Sequence, residues 1–256
     1  MQSSSQSRIE NFMRYFSVEY ADSFAQKQTV FALRYRVFCE EFQFESPSDF
    51  PDGLEYDHYD SYAQHCLIRH RETQLPAGCI RLVPAVNGNL DNCPMPFEKY
   101  CWDSLDHSFI QQLALPRQSM CEISRLAVSD IFRKAGEKHL LQAHQYSFTE
   151  AEFFAFPLIS VACFLAATAL AVVNQRSNVF AMMEPFLPRI VSRSGICFQR
   201  VGCDVQYHGT RAAYFITSQT ALLHLQPELR ELYQWIEAQI QAEANPAVST
   251  VKSAFA

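Results

Sequence analysis

No two cysteines in this chain are spaced C-x-x-C, and none stands with histidine at zinc-binding intervals, although nine cysteines are many for 256 residues. An odd, scattered set excludes a disulfide framework and a structural zinc site, and implies thiols packed as small hydrophobes in a reducing cytoplasm. His139 and His144 are five apart and share no helical face, so no metal is expected. A basic stripe is also missing. The formal charge is −6 and lysine occurs only at 27, 99, 134, 138 and 252, which argues against nucleic acid as a partner. The first residues, Met-Gln-Ser-Ser-Ser-Gln-Ser, carry neither a charged n-region nor an apolar h-region, so no secretory signal is expected. No apolar run reaches the roughly 20 residues that a bilayer requires. The longest, Leu158–Val173, lies between Pro157 and Asn174-Gln175-Arg176 and reads as a core helix, not a transmembrane segment.

What the chain has is arginine and apolar bulk. Sixteen of its 21 basic residues are arginine, and 48% of all residues are hydrophobic. Arginine is the side chain for fixed, bidentate pairing with carboxylates and phosphates. Residues 121–128, Cys-Glu-Ile-Ser-Arg-Leu-Ala-Val, read as a short strand that carries Glu122, Ser124 and Arg125 within an apolar run. Buried without partners, such groups cost several kcal/mol each, so each needs a partner or a task. An amphipathic helix over 23–41 places Arg34 in its apolar stripe, one turn before Phe38, while Arg36 points to solvent. A guanidinium facing inward must meet an anion. The carboxylates of Glu55-x-Asp57-x-x-Asp60, at the end of a loop over 43–60, are the candidates.

Further along, strands are expected at 62–69, with Arg81 inside a second at 77–85. An irregular insertion spans 87–119, long enough to cover a site. After the Glu122 strand, 133–156 is expected to be a mobile loop. A helix at 158–174, a strand at 178–183, a helix from Pro185 to about Ser194, and strands at 196–201 and 212–217 follow. Residues 1–10 are expected to be disordered, 11–220 to form the main domain, 221–244 to carry an amphipathic helix and 245–256 to fray. This order fits an α/β mixed sheet with helices on both faces.

Four motifs now stand in order: Leu-Arg34-Tyr-Arg-Val-Phe38, Glu55-x-Asp57-x-x-Asp60, Gly78-Cys-Ile-Arg81-Leu and Glu122-Ile-Ser124-Arg125. Each is weak alone. Together they resemble the acyl-homoserine-lactone (autoinducer) synthases and the related N-acyl amino acid synthases of the GNAT superfamily. The inserted stretch with Pro96-Phe97-Glu98, and the tail Tyr207-x-Gly209-x-Arg211-x-x-Tyr214-Phe215, look closer to one bacterial branch, the PEP-CTERM/exosortase-system-associated acyltransferases.

The resemblance implies a GNAT-like fold, with the strands 121–128 and 178–183 splayed apart around the pantetheine arm of a thioester donor. It implies a cytoplasmic transferase moving a fatty acyl group to an amine, with no tightly bound cofactor. The implied catalytic residues are Glu122, Ser124 and Arg125, with Glu122 taking the acceptor's proton directly or through a water. Alternation separates Arg125 from Glu122 and Ser124 unless the strand is bulged. Arg34, Asp57, Asp60 and Arg81 would form the ion network and Phe38 and Phe44 the acceptor wall. Leu126, Ala127, Val128, Arg133 and Gly136 would meet the donor. Phe44 stands where homoserine-lactone synthases carry a Trp, which weakens S-adenosylmethionine as acceptor and leaves an amino acid or another amine open. After the fourth strand only Arg133-x-x-Gly136 stands in for the glycine-rich pyrophosphate loop, and the chain has 7 glycines in all. That favours acyl carrier protein over acyl-CoA as donor. Two other readings stay open: an acyl-homoserine-lactone synthase using S-adenosylmethionine, and a non-catalytic module binding an acyl chain or its carrier.

Overall fold

The structure is a computed structural model describing residues 2–86, 93–133 and 146–244. Helix α1 (Gln2–Tyr15) runs directly into strand β1 (Phe16–Tyr20). The disorder expected over 1–10 is thus replaced by helix from Gln2 on, with residue 1 outside the described residues. The polar start hides the apolar positions Ile9 and Phe12, both buried in the main core, and Phe12 stacks on Phe16 at 5.0 Å. Helix α2 (Phe24–Tyr35) is opened by Ser23, whose hydroxyl accepts from the Gln26 amide while the Gln26 side chain returns to the Ser23 amide. It passes without a break into a π-helical turn, Arg36–Glu41.

Strands β2 (Gln64–His70), β3 (Pro76–Pro84) and β4 (Met120–Val128) follow. Between β3 and β4 the insertion forms helices α3 (Pro96–Cys101) and α4 (His107–Gln112). After β4 come α5 (Asp130–Arg133), α6 (Glu150–Ala155) and α7 (Leu158–Val173). The loop expected over 133–156 is corrected in its last part. Glu152 caps its own helix through Thr149 and lies 2.8 Å from the buried His70 ring, among Phe132, Phe148 and Phe156. Strand β5 (Asn178–Met183), helix α8 (Leu187–Val191), the short strands β6 (Gln199–Arg200) and β7 (Val205–Gln206), and strand β8 (Thr210–Thr217) complete the sheet. Most of the strand expected at 196–201 is irregular. Helices α9 (Ser218–Leu223) and α10 (Pro227–Ala244) close the described chain, and the tail 245–256 lies outside the described residues.

The strand order is β1-β2-β3-β4-β5-β8-β6, with β7 paired to β8. Neighbours are antiparallel except β4 and β5, which run parallel. One sheet face carries α7, itself packed against α10, and the opposite face carries α2 and the insertion. Helix α7 is buried on nearly every side, so its uniform apolarity serves a core. No helix among the described residues is long and apolar enough to cross a membrane.

Two departures from regular pairing shape the site. The β4–β5 ladder runs from Met120/Asn178 to Ile123/Ala181 and stops, although both strands continue. On its other edge, β4 inserts an extra residue against β3: Cys79 faces Ala127, but Arg81 faces Ser124. At this bulge Arg125 has φ of 53°, a left-handed conformation that a residue carrying a Cβ enters at a cost of about 1–2 kcal/mol.

Candidate active site

Where β4 and β5 part, a cleft of about 370 Å³ opens. Ser124, Arg125, Leu126 and Val128 line it from β4, and Ala181, Met182 and Met183 from β5. Ser160 and Phe164 of α7 form part of the wall, and Phe38, Phe42 and Phe44 come from the π-helical turn and the loop after it. The hairpin between β7 and β8 adds Tyr207, His208 and Arg211.

The turn after α2 brings three aromatic rings to the cleft. The Phe44 amide bonds back to the Phe38 carbonyl at 2.7 Å, and Phe42 stacks on Phe44 at 5.4 Å. Each ring carries one guanidinium: Arg125 over Phe38 at 5.8 Å, Arg133 over Phe42 at 5.1 Å and Arg211 over Phe44 at 5.5 Å.

Behind this wall lies the charge network. Arg34, fully buried, donates from Nε to Glu55 at 2.5 Å and from both terminal nitrogens to Asp60 at 2.8 and 3.0 Å. Arg81 meets Asp57 at 2.8 Å and Asp60 at 3.0 Å, and its Nε donates to the Ser124 hydroxyl at 3.1 Å. Arg125 reaches Glu55 at 3.0 Å, Glu45 at 3.4 Å and Asp57 at 3.5 Å. Burial alone would lower the Arg34 pKa and raise those of Glu55 and Asp60. The mutual attraction outweighs it, holding Arg34 above its ordinary value and both carboxyls below theirs. His65 stands 3.5 Å from Asp60, but burial, with help from Arg34 and Arg81, takes it down to about 3 against the pull of Asp60. It is therefore a neutral neighbour and no ion-pair partner at neutral pH.

Glu122 stands outside the cleft lining. It is 2% exposed, and its Oε2 accepts the Phe97 amide at 2.7 Å, at the start of insertion helix α3. Burial pushes its carboxyl up to about 8, against the Phe97 bond and the attraction of Arg81. On the neighbouring strand, Phe180 faces it in register. Ser124, two residues on, keeps one proton to donate after accepting from Arg81.

Of the residues expected at the site, Phe38, Phe44, Ser124, Arg125, Leu126, Val128 and Arg133 do line the cleft. The bulge brings Arg125 onto the cleft while leaving it paired in the ion network, so the two positions, expected as alternatives, coexist. Arg34, Asp57, Asp60 and Arg81 form the network one layer back. The Ala127 side chain turns the other way, into the packing under α2 with Leu67 and Cys79; as a side chain it does not face the donor. Gly136 lies outside the described residues. Arg133 pairs with Glu41 and donates to the Val128 carbonyl at 2.7 Å. Sequence alone gives Glu45, His208 and Arg211 no role, and places Glu55 only as one of three carboxylates. A motif around Tyr207 and Arg211 was visible, but only the hairpin's return to Phe44, through a 2.7 Å bond from His208 Nδ1 to the Phe44 carbonyl, gives it a place. No cluster of His, Cys, Asp and Glu among the described residues is arranged to hold a metal.

Residues 33–143 match the Acetyltransferase (GNAT) domain. Among solved structures, TofI in a ternary complex with an inhibitor and MTA is 21% identical, with a TM-score of 0.57 over 84% of this chain and 99% of that one. The CoA-dependent acyl-homoserine lactone synthase BjaI, with SAM and isopentyl-CoA, is 17% identical, with a TM-score of 0.52 over 87% and 89%. FeeM, an N-acyl amino acid synthase from uncultured soil microbes, is 9% identical, with a TM-score of 0.52 over 86% and 97%. No curated protein sequence matches. The fold is that of the GNAT acyl-CoA N-acyltransferases, and domain and fold together are those of an acyltransferase.

Proposed function

We propose that this enzyme moves a fatty acyl group from a thioester to the amine of an amino acid or a similar small acceptor. The observation that carries the reading is the parting of β4 from β5 beyond Ile123, which opens an apolar cleft beside Ser124 and Arg125. The pantetheine arm would enter this gap, where the backbone of β4 has lost its β5 partner and can hold the thioester carbonyl and its oxyanion. The acyl chain would lie against Phe164, Ala181 and Leu187, and the acceptor against Phe38 and Phe44.

In this scheme the acceptor's ammonium gives a proton to Glu122 through a water, since the carboxyl lies behind the cleft wall. The freed nitrogen attacks the thioester carbon, the tetrahedral intermediate collapses, and the carbon–sulfur bond breaks as the amide forms. The nitrogen's second proton goes to the departing sulfur, leaving a thiol and an N-acyl product, and Glu122 then releases the first proton to solvent. A base with a pKa of about 8 suits this task near neutral pH.

The scarcity of glycine after β4 supports acyl carrier protein as donor, and the Tyr207–Phe215 motif supports membership of the exosortase-associated branch. A second reading, an acyl-homoserine-lactone synthase using S-adenosylmethionine, is favoured by the likeness to BjaI and opposed by Phe44 in place of Trp. Purified protein incubated with long-chain acyl carrier protein or acyl-CoA and separate acceptors decides the matter by thiol release. Release with amino acids supports the first reading, release with S-adenosylmethionine alone the second. Tight carrier binding without release would leave a non-catalytic binding module.

A further inference from the structure

Five arginines stand in or directly behind the cleft, and four are matched. Arg34, Arg81, Arg125 and Arg133 each reach at least one carboxylate. Arg211 reaches none among the described residues. Its Nε donates to the His208 carbonyl at 3.2 Å, which fixes the side chain, and its guanidinium lies over Phe44 with the terminal nitrogens unbonded among the described residues. It lines the same cleft as Ser124, Arg125 and Tyr207. We infer that Arg211 is a carboxylate-binding residue, so that the acyl acceptor is an α-amino acid and not a simple amine. This deepens the acyltransferase reading and rests on it for the word acceptor.

The electrostatics agree. A half-buried cation with no carboxylate in contact among the described residues is held at a cost, and burial pulls the Arg211 pKa below its ordinary value, with Glu184 offering only longer-range compensation. An anion entering the cleft would remove that cost. Tyr207 adds a donor: burial pushes its phenol up to about 12, so it keeps its proton. The ring is set by stacking on Tyr100 at 5.4 Å.

Position selects the anion. Alternation along β8 puts Arg211 and Ala213 on the face that carries Phe215, and Phe215 pairs across β5 with Phe180, the register partner of Glu122. Arg211 therefore shares a sheet face with Glu122 and Ser124, and it adjoins the Phe44 wall. The α-carboxylate of an amino acid lies only two bonds from its nitrogen, so it must sit close to where that nitrogen reacts. A donor's phosphate is separated from the sulfur by the whole pantetheine arm and belongs at the outer end of the gap, by Arg133. The hairpin that presents Arg211 is tied to Phe44 through His208, so acceptor wall and anion site move as one piece.

Calorimetric titration with N-dodecanoylglycine and with N-dodecanoylglycinamide tests the inference without turnover. The wild-type protein is expected to bind the carboxylate about 10- to 100-fold more tightly than the amide. Arg211→Gln should close that gap, and Arg211→Lys should restore part of it. Equal binding of the two ligands by wild type, failure of the carboxylate to bind, or a gap that survives in Arg211→Gln would each overturn it. The wild-type comparison stands even where a variant folds poorly. In transfer assays Arg211→Gln should raise KM for the amino acid and leave KM for the donor; the reverse would place a donor phosphate at Arg211. Absence of acyl transfer with a retained preference for the carboxylate would sink the activity and leave the anion site standing.

Discussion

Glu122 carries two expectations that one substitution separates. Its carboxyl is raised by burial from an ordinary 4.5 to about 8. A group raised in this way stabilises the fold fully below pH 4.5, and that contribution is lost as pH climbs through 8. Glu122→Gln should therefore melt higher than wild type at pH 9, with the difference shrinking toward pH 5. As the base, the same residue should make kcat rise with pH toward 8 in wild type, and Glu122→Gln should lower kcat roughly 100-fold while donor affinity holds. A donor affinity that falls in step with kcat would contradict the assignment. Arg34 behaves differently. Arg34→Ala leaves Glu55 and Asp60 buried against too few partners and should cost about 3–5 kcal/mol in denaturant unfolding. Both carboxyls are depressed in the fold, so their stabilising contribution is lost as pH falls through the acid range, and the deficit of the variant should be smallest there. An unchanged melting temperature with lost acceptor binding would contradict this structural role.

At the scale of elements, the central strands and the helix behind them were readable, and the first helix, the insertion and the sheet's last edge were not. The residues 121–128 announced a strand with polar cargo, and periodicity placed β2, β3, α7 and β5 within a residue or two. Alternation posed the condition that Arg125 could share a site with Glu122 only through a bulge; the left-handed Arg125 supplies the bulge, while Glu122 stays behind the cleft lining. The first helix escaped because its opening residues are serine and glutamine, so the signal rests on Ile9 and Phe12 alone. Strand β6 was overestimated because Ile196 is buried outside the ladder, which pairs only Gln199 and Arg200 with β8 and continues as a single bond from the Val201 amide to Ala213. The placement of Glu122 under α3 depended on an insertion without sequence periodicity. A smaller cavity of about 20 Å³ adjoins the cleft and shares Ile123, Phe164 and Ala181 with it. Phe164→Leu should join the two and shift kcat/KM toward longer acyl chains by roughly 10-fold in a chain-length series. An unaltered preference would remove Phe164 from the chain's path.

Across the whole molecule, the turn before α10 is held against the segment after α8 by a close backbone approach. Gly195 has φ of 88°, and a Cβ there would lie 1.9 Å from the His224 carbonyl oxygen. Gly195→Ala should cost roughly 2–5 kcal/mol by thermal or chemical unfolding, because backbone must move to admit it. A melting temperature within a degree of wild type would show that the turn before α10 is looser than it looks. The sequence held the glycine but gave no hint of what faced it, since His224 is 29 positions away.

A similar approach has a consequence for selectivity. At Gly78 of β3 a Cβ would meet Cys163 Sγ at 3.0 Å and Ile159 Cγ2 at 3.1 Å, so α7 rests almost on the strand's backbone. The next residues on that helix, Ser160 and Phe164, face the cleft. A wall seated this close cannot swell to admit a bulkier lipid, and the enzyme should measure its fatty chain as a fixed ruler does, with a sharp length cut-off set by side-chain size.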